Sequence, residues 1–239
     1  GASSWSMRVR NSNLQAHVQD FSPVLCHIND FMNSNITKFA AALVLTVFTS
    51  WFASAANDEA VAIFAGGCFW CVESDFDRVP GVTKTISGYT GGSLKNPTYR
   101  DVVRGGTGHR EAVQIFYDPS KVTYEMLLEV FWRSVDPTDG GGQFCDRGVS
   151  YETAVFVTSL DQRRSAEASK KALMSSGALK KPIVTKIEDA GTFYPAEDYH
   201  QDYYKKNPVR YKFYRYNCGR DQRVEQLWGD QAYKGIIRY

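Results

Sequence analysis

The stretch AGGCFWCVES, residues 65–74, sets Cys68 and Cys71 three apart around Phe69 and Trp70. Three chemistries use such a pair. A redox disulfide needs both thiols, a zinc site needs a second ligand pair, and a lone nucleophile needs one activated thiol. No second C-x-x-C and no nearby His pair exists, so no metal is expected. Cys68 follows an apolar run and Gly66-Gly67, which places it at the start of a helix. There the first amides lack backbone partners and the helix dipole end is positive, so a thiolate is stabilised and the thiol becomes nucleophilic. The two glycines leave room for close approach by another molecule. Cys71, one turn further on, is either the second thiol of a thioredoxin-like pair or a small residue on the inner face of the helix.

HREAVQIFYD, residues 109–118, alternates in the manner of a strand. Alternation puts Glu111 on the face of Val113 and Ile115, with Gln114 on the other. A carboxyl on an apolar face is paired or has a raised pKa, and a raised pKa lets it act as a general acid. The alternative is a strand-end Glu in solvent. Tyr99, after Pro97, and Tyr151, after a glycine loop, carry hydroxyls that could donate; among 14 tyrosines each alone means little. Cys145 and Asp146 share that glycine loop, and Cys218 precedes Gly219 in a tail that looks mobile enough to reach another thiol. His109 and His200 read as turn or surface residues.

These residues need elements to hold them. Val61–Phe64 is a strand, and residues 68–78 form a helix stopped by Pro80-Gly81. Val82–Tyr89 and EAVQIFYDP are strands, with a loop between them. Thr123 caps a helix whose apolar residues recur at Tyr124, Leu127, Leu128, Phe131 and Val135. YETAVFVTS, from Tyr151, is a strand. A polar-faced helix over Leu160–Ser176 and the strand KPIVTKIEDA follow. Pro195 opens a tyrosine-rich helix to about Lys206. From about residue 208 the tail is expected as an irregular segment with one short helix. The order to Tyr151 is β-α-β-β-α-β, so the expectation is an α+β single domain with a split βαβ, ferredoxin-like mixed sheet and helices on one side.

With 239 residues, 43% of them apolar, the chain can build one well-packed core. A net charge of +2 with interleaved Lys, Arg and acids argues against a nucleic-acid partner. GASSW at the front and residues 6–31 show no trusted pattern, leaving 1–31 an uncertain leader. From Met32 the sequence has Lys38, an apolar stretch from Phe39 to Phe52 and Ala53-Ser54-Ala55, the three parts of a secretory signal peptide over 32–55. The stretch is too short for a comfortable span, so no stable membrane insertion is expected once it is removed. The mature chain would be 56–239, exported to the bacterial periplasm, or cytoplasmic if the leader is unused. Export leaves Cys68, Cys71, Cys145 and Cys218 where disulfides persist, so two structural bridges in an exported binding module are a second alternative.

Five stretches in unbroken order, GCFWCVE, GYTGG…NPTY, TGHREAV, GGQFCDRGVSY and AEDYHQDY, resemble the A-type peptide methionine sulfoxide reductases over about Ala60 to Asn207. The resemblance implies that Cys68 attacks the sulfoxide sulfur and Glu111 protonates its oxygen with help from Tyr99 and Tyr151. It implies that Phe69 and Trp70 wall the substrate methyl and that Asp146 supports the oxygen side. Methionine S-sulfoxide, free or in proteins, is the implied substrate. Methionine leaves, Cys68 becomes a sulfenic acid, a second Cys condenses with it, and a thioredoxin-like donor reduces the disulfide. No cofactor is implied, and a monomer is expected. Some relatives carry two recycling cysteines in a glycine-rich tail, whereas this tail has Cys218 alone. Ser150 stands where Gln is common, and Cys145 where another polar residue is common. Cys218 is therefore the expected resolving thiol, Cys145 the runner-up and Cys71 a bystander. The alternative activity is a thioredoxin-like oxidoreductase using Cys68-Cys71.

Overall fold

The computed structural model describes residues 59–238; the expected leader, residues 32–55, lies outside them. Strand β1 (Ala60–Ala65) is central in a six-stranded sheet. Helix α1 (Phe69–Phe76) follows, then β2 (Val82–Thr90), α2 (Tyr99–Arg104), β3 (Arg110–Tyr117) and α3 (Tyr124–Trp132). The short hairpin β4 (Gly142–Gln143) and β5 (Asp146–Arg147) stands apart from the main sheet. After a 3-10 turn (Val149–Tyr151) come β6 (Ala154–Val157), α4 (Leu160–Ser175), β7 (Lys186–Asp189) and β8 (Tyr194–Pro195). Helices α5 (Tyr203–Lys206), α6 (Pro208–Asn217) and α7 (Arg220–Trp228) follow, and a 3-10 turn (Gly229–Gln231) comes after them.

The sheet order is β7-β6-β1-β3-β2-β8. Its middle four strands are antiparallel, in the arrangement a split βαβ requires. Parallel pairing of β6 with β7 makes the sheet mixed. Side-chain alternation divides the faces. Ala62, Phe64, Val113, Ile115, Val155 and Val157 join Val72 and Phe76 of α1 and Leu127, Leu128 and Phe131 of α3 in one core. Ile63, Ala65, Ala112, Ala154 and Phe156 line the opposite face under Phe193. Phe64 stacks on Phe131 at 4.9 Å between centroids, and its truncation would cost about 3–5 kcal/mol. The second face also holds Arg110, buried between Glu152 at 3.3 Å and Glu188 at 3.0 Å.

This topology gathers chemistry at one sheet edge. The C-terminal ends of β1 and β2 and the N-terminal ends of β3 and β6 all lie there, because the four strands alternate in direction. Cys68, Tyr89, Glu111 and the turn bearing Tyr151 therefore converge.

Four local expectations are corrected. The segment before β3 contains α2, which Thr98 starts with a capping box to Asp101, so Tyr99 is helical. Tyr151 belongs to the 3-10 turn, entered through Gly148 at φ 115°, and does not begin β6. Pro195 ends the edge strand β8 opposite Gly88, where its missing N–H costs nothing, and the helix of that region is only Tyr203–Lys206. The tail is not irregular. Val224 and Trp228 of α7 are buried in the main core, and Trp228 Nε1 donates to Val135 O at 3.1 Å.

Candidate active site

Cys68 is the N-cap of α1, buried, with its side chain bonded to no helix amide. The amide of Phe69 instead donates to Glu111 Oε2 at 2.9 Å. Glu111 faces the core as its alternation with Val113 and Ile115 requires, and only 2% of it is exposed. Burial pushes its carboxyl up to about 8; the Phe69 amide pulls the other way, nearby Asp146 and Cys71 push further, and the Tyr151 hydroxyl pulls back. The carboxyl is thus protonated at neutral pH.

The expected activation of Cys68 by its helix is corrected. The first amide is committed to Glu111, while burial, the hydrogen bond with Cys71 and the neighbouring acids Glu111 and Asp146 push the Cys68 thiol well up. Cys71 moves in the opposite direction. Its hydrogen bond with Cys68 outweighs burial, and Arg215 and Arg220 lower it further. The side chains around the pair, not the helix dipole, set the opposite directions in which the two thiols are moved.

Gly67 is also explained differently. Its φ of 85° and a Cβ that would meet Gln143 Cβ at 2.6 Å make glycine obligatory there. The close approach is by Gln143 of this chain, not by another molecule. Gln143 is wholly buried, accepts from Asp136 N at 2.9 Å and donates to Asp136 O at 2.8 Å, which fixes the loop carrying Cys145 and Asp146.

The aromatic wall is larger than Phe69 and Trp70. Phe69 is buried against Tyr99 at 6.4 Å, and Trp70 stacks on Tyr203 at 3.7 Å and 6°. Trp70 Nε1 donates to His200 Nδ1 at 3.0 Å. Burial lowers His200, keeping it neutral as that acceptor. His200 and His109 are both buried, which overturns the surface reading of each; Nδ1 of His109 accepts from Gly92 N at 3.1 Å. Glu197 is the further organising residue: Tyr89 Oη donates to it at 2.8 Å and Tyr99 N at 2.9 Å. Isolated polar residues gave no periodicity signal for these roles; AEDYHQDY carries both Glu197 and His200. Burial and neighbouring Glu111 push Tyr99 up to about 12 and raise Tyr151 strongly, so both hydroxyls stay protonated donors.

Cys218 caps the C-terminus of α6, is buried, and is joined to Cys145 in a disulfide spanning 73 residues. Cys145 is exposed. Cys218 Sγ lies 3.7 Å from Asp146 Oδ2, and Tyr214 Oη donates to the same carboxylate. Cys68 and Cys71 are free thiols.

The arrangement suits reduction of a polar, oxygen-bearing electrophile held by an aromatic wall. Comparison with known proteins names one. The family model for peptide methionine sulfoxide reductase matches residues 60–232. Peptide methionine sulfoxide reductase MsrA 2 of Rhizobium meliloti is 53% identical over 193 residues, covering 81% of this chain and 95% of that protein. The MsrA of Bacillus subtilis is 54% identical over 169 residues, covering 71% of this chain and 96% of its own length. The solved methionine sulfoxide reductase A of Corynebacterium diphtheriae superposes with a TM-score of 0.56 at 34% identity, covering 63% of this chain and 76% of that one. Reduced Mxr1 of Saccharomyces cerevisiae gives 0.58 at 30%, covering 63% and 87%. Over this extent of agreement in sequence, fold and order of motifs, the chain belongs to the peptide methionine sulfoxide reductases and is a peptide-methionine (S)-S-oxide reductase.

Proposed function

We propose that Cys68 is the nucleophile of this reductase and Glu111 its general acid. The observation that carries the assignment is the buried Glu111 carboxyl, held at the N-terminus of α1 by the Phe69 amide. That bond occupies one carboxyl oxygen and leaves the other to deliver a proton. A sulfoxide oxygen is a strong acceptor and, once protonated, a leaving group, which makes the sulfur electrophilic. Tyr99 and Tyr151 donate to the oxygen, Phe69 and Trp70 hold the methyl, and Asp146 supports the oxygen side. Fixing methyl, oxygen and attack direction together makes the pocket chiral, which is the physical basis of S selectivity. The Cys68 sulfur attacks, methionine leaves, and the oxygen stays on Cys68 as a sulfenic acid.

Recycling uses Cys218 and Cys145. Cys218 displaces water from the sulfenic acid to give a Cys68–Cys218 disulfide. Cys145 then attacks Cys218 and frees Cys68, leaving the Cys145–Cys218 bridge whose Cys145 end is open to a thioredoxin-like donor. Protein-bound and free methionine sulfoxide are the substrates. The test is one equivalent of racemic methionine sulfoxide on reduced enzyme, with chiral chromatography of what remains. Consumption of the S epimer, abolished in Cys68→Ser, is expected; equal consumption of both epimers defeats the pocket assignment.

A further inference from the structure

The acid Glu111 and the donor Tyr151 reach the site from different elements, and each needs its own anchor. Glu111 has one in front, the Phe69 amide at 2.9 Å. Tyr151 ends the 3-10 turn, whose backbone bonds are local: Tyr151 N donates to Gly148 O at 3.0 Å and Glu152 N to Val149 O at 3.2 Å. Those bonds shape the turn without fixing it against β3. The sheet ladder does not fix it either, because β1 separates β3 from β6. β1 stops at Ala65, opposite Ala154 of β6, and the chain leaves there for Gly66, Gly67 and Cys68. Beyond that point β3 and the turn face each other across two strand spacings, roughly 10 Å.

The side chain that spans this gap is Arg110, the first residue of β3. Alternation sends it to the face opposite Glu111, where its guanidinium lies 5.9 Å from the centre of the Phe156 ring. Its Nη2 donates to Glu152 Oε2 and to Glu188 Oε1, both at 3.3 Å, and its Nη1 to Glu188 Oε2 at 3.0 Å. Lys186 Nζ donates to the same Glu152 oxygen at 3.2 Å. Arg110 directly precedes Glu111 in the chain, and Glu152 directly follows Tyr151. The acid and the donor in front of the sheet are therefore tied together behind it. Arg110 is only 4% exposed, and the rigid fork of a guanidinium holds two carboxylates in one geometry. A buried ion pair of this kind adds little stability over an apolar side chain of the same size; what it fixes is arrangement.

We propose that Arg110 is a positioning residue of the reductase: through Glu152 it holds the Tyr151 hydroxyl at the separation from Glu111 that a sulfoxide oxygen between them requires. This rests on the reading of Glu111 as acid and Tyr151 as donor. Both groups must meet one oxygen in the transition state, and a misplacement of about 1 Å costs up to roughly 10²-fold in rate. The methyl wall of Phe69 and Trp70 belongs to α1 and does not hang on this strap. Substrate capture should therefore survive its loss while the chemical step slows.

The experiment is single-turnover methionine release from reduced full-length enzyme over a range of sulfoxide concentrations. The variants are Arg110→Met, Arg110→Lys, Glu152→Gln, Tyr151→Phe and Arg110→Met combined with Tyr151→Phe. Arg110→Met should lower the maximal rate by roughly 10- to 10²-fold with the half-saturating concentration nearly unchanged, and Glu152→Gln should act in the same direction. Arg110→Lys, which keeps the charge but not the fork, should recover part of the loss. Tyr151→Phe should be slower by roughly 10²-fold, the worth of one donor to a developing charge. Adding Arg110→Met to it should cost nothing further, because a strap that acts through a hydroxyl has no effect once the hydroxyl is gone. Melting of Arg110→Met should be only slightly lowered, since Glu152 keeps Lys186 and the Glu152 and Glu188 side chains are 19% and 33% exposed. A rate loss from Arg110→Met that persists undiminished in the Tyr151→Phe background would overturn the proposal. So would wild-type maximal rates in both Arg110→Met and Glu152→Gln. Should Arg110→Met not fold, Glu152→Gln with and without Tyr151→Phe makes the same comparison. Tyr151→Phe at the wild-type rate would instead overturn the donor role of Tyr151, and the proposal with it.

Discussion

At Glu111, one side chain joins an apolar strand face to an acid that must hold its proton at neutral pH. The same burial that raises its pKa works against folding once the pH passes the ordinary carboxylate range. In the unfolded chain the group ionises near its usual 4.5, and in the fold only near 8. Its contribution to stability is therefore fully present below about 4.5 and is lost as pH rises through 8. Glu111→Gln keeps the size and an oxygen for the Phe69 amide, but has no proton to give. The single-turnover rate should drop by on the order of 10²–10⁴. Melting in mildly alkaline buffer should rise by a few degrees, as expected for relief of about 1 kcal/mol or more. Wild-type single-turnover kinetics in the variant would show that this carboxyl is not the acid. An alkaline melting point no higher than wild type would show that its charged form is not disfavoured.

Among the elements, the turn joining α6 to α7 most changes the picture drawn from sequence. CGRDQR suggested a swinging arm because Gly219 follows Cys218 directly. Gly219 does adopt a left-handed φ of 71°, but it uses that freedom to end α6 and start α7, which fixes the cysteine against Asp146. Long-range packing decided this: Arg215, Arg220 and Trp228 bind groups more than 80 residues away in sequence, and no local pattern encodes that. By contrast, β1, β2, β3 and α3 were legible, since periodicity and the Thr123 cap are local signals that the core then ratifies. That Cys68, Glu111 and the tyrosines would gather at one place was legible through ordered motifs, whereas the docking of the tail beside them was not. A fixed α6–α7 turn has a consequence for recycling. Cys218→Ser should release one methionine per enzyme at the wild-type rate, yet fail to turn over with a thioredoxin. Cys145→Ser should accumulate a Cys68–Cys218 disulfide, detected by peptide mapping. Full turnover of Cys218→Ser would transfer the resolving role to Cys145 or Cys71.

For the whole molecule, the catalytic cycle demands that the fold survive making and breaking a bridge that closes 73 residues. On loop entropy alone, a crosslink of that span stabilises by about 4 kcal/mol, the unfolded chain being the state it restricts. Losing that each cycle would endanger a protein whose tail was held only by the disulfide. Here the tail has independent anchors. Val224 is fully buried, Trp228 Nε1 donates to Val135 O at 3.1 Å, and Arg220 bonds Gly66 and Ser134 in the heart of the domain. Reduction should therefore lower the melting temperature by on the order of ten degrees for a domain of this size, while leaving one cooperative transition. Calorimetry with and without dithiothreitol measures it, and Cys145→Ser should match the reduced wild type. Limited proteolysis of the reduced protein should leave the chain intact beyond Asn217, since α6 and α7 remain docked. Rapid cleavage within residues 208–228 on reduction, or a second low-temperature transition, would mean that the bridge rather than the buried anchors holds the tail.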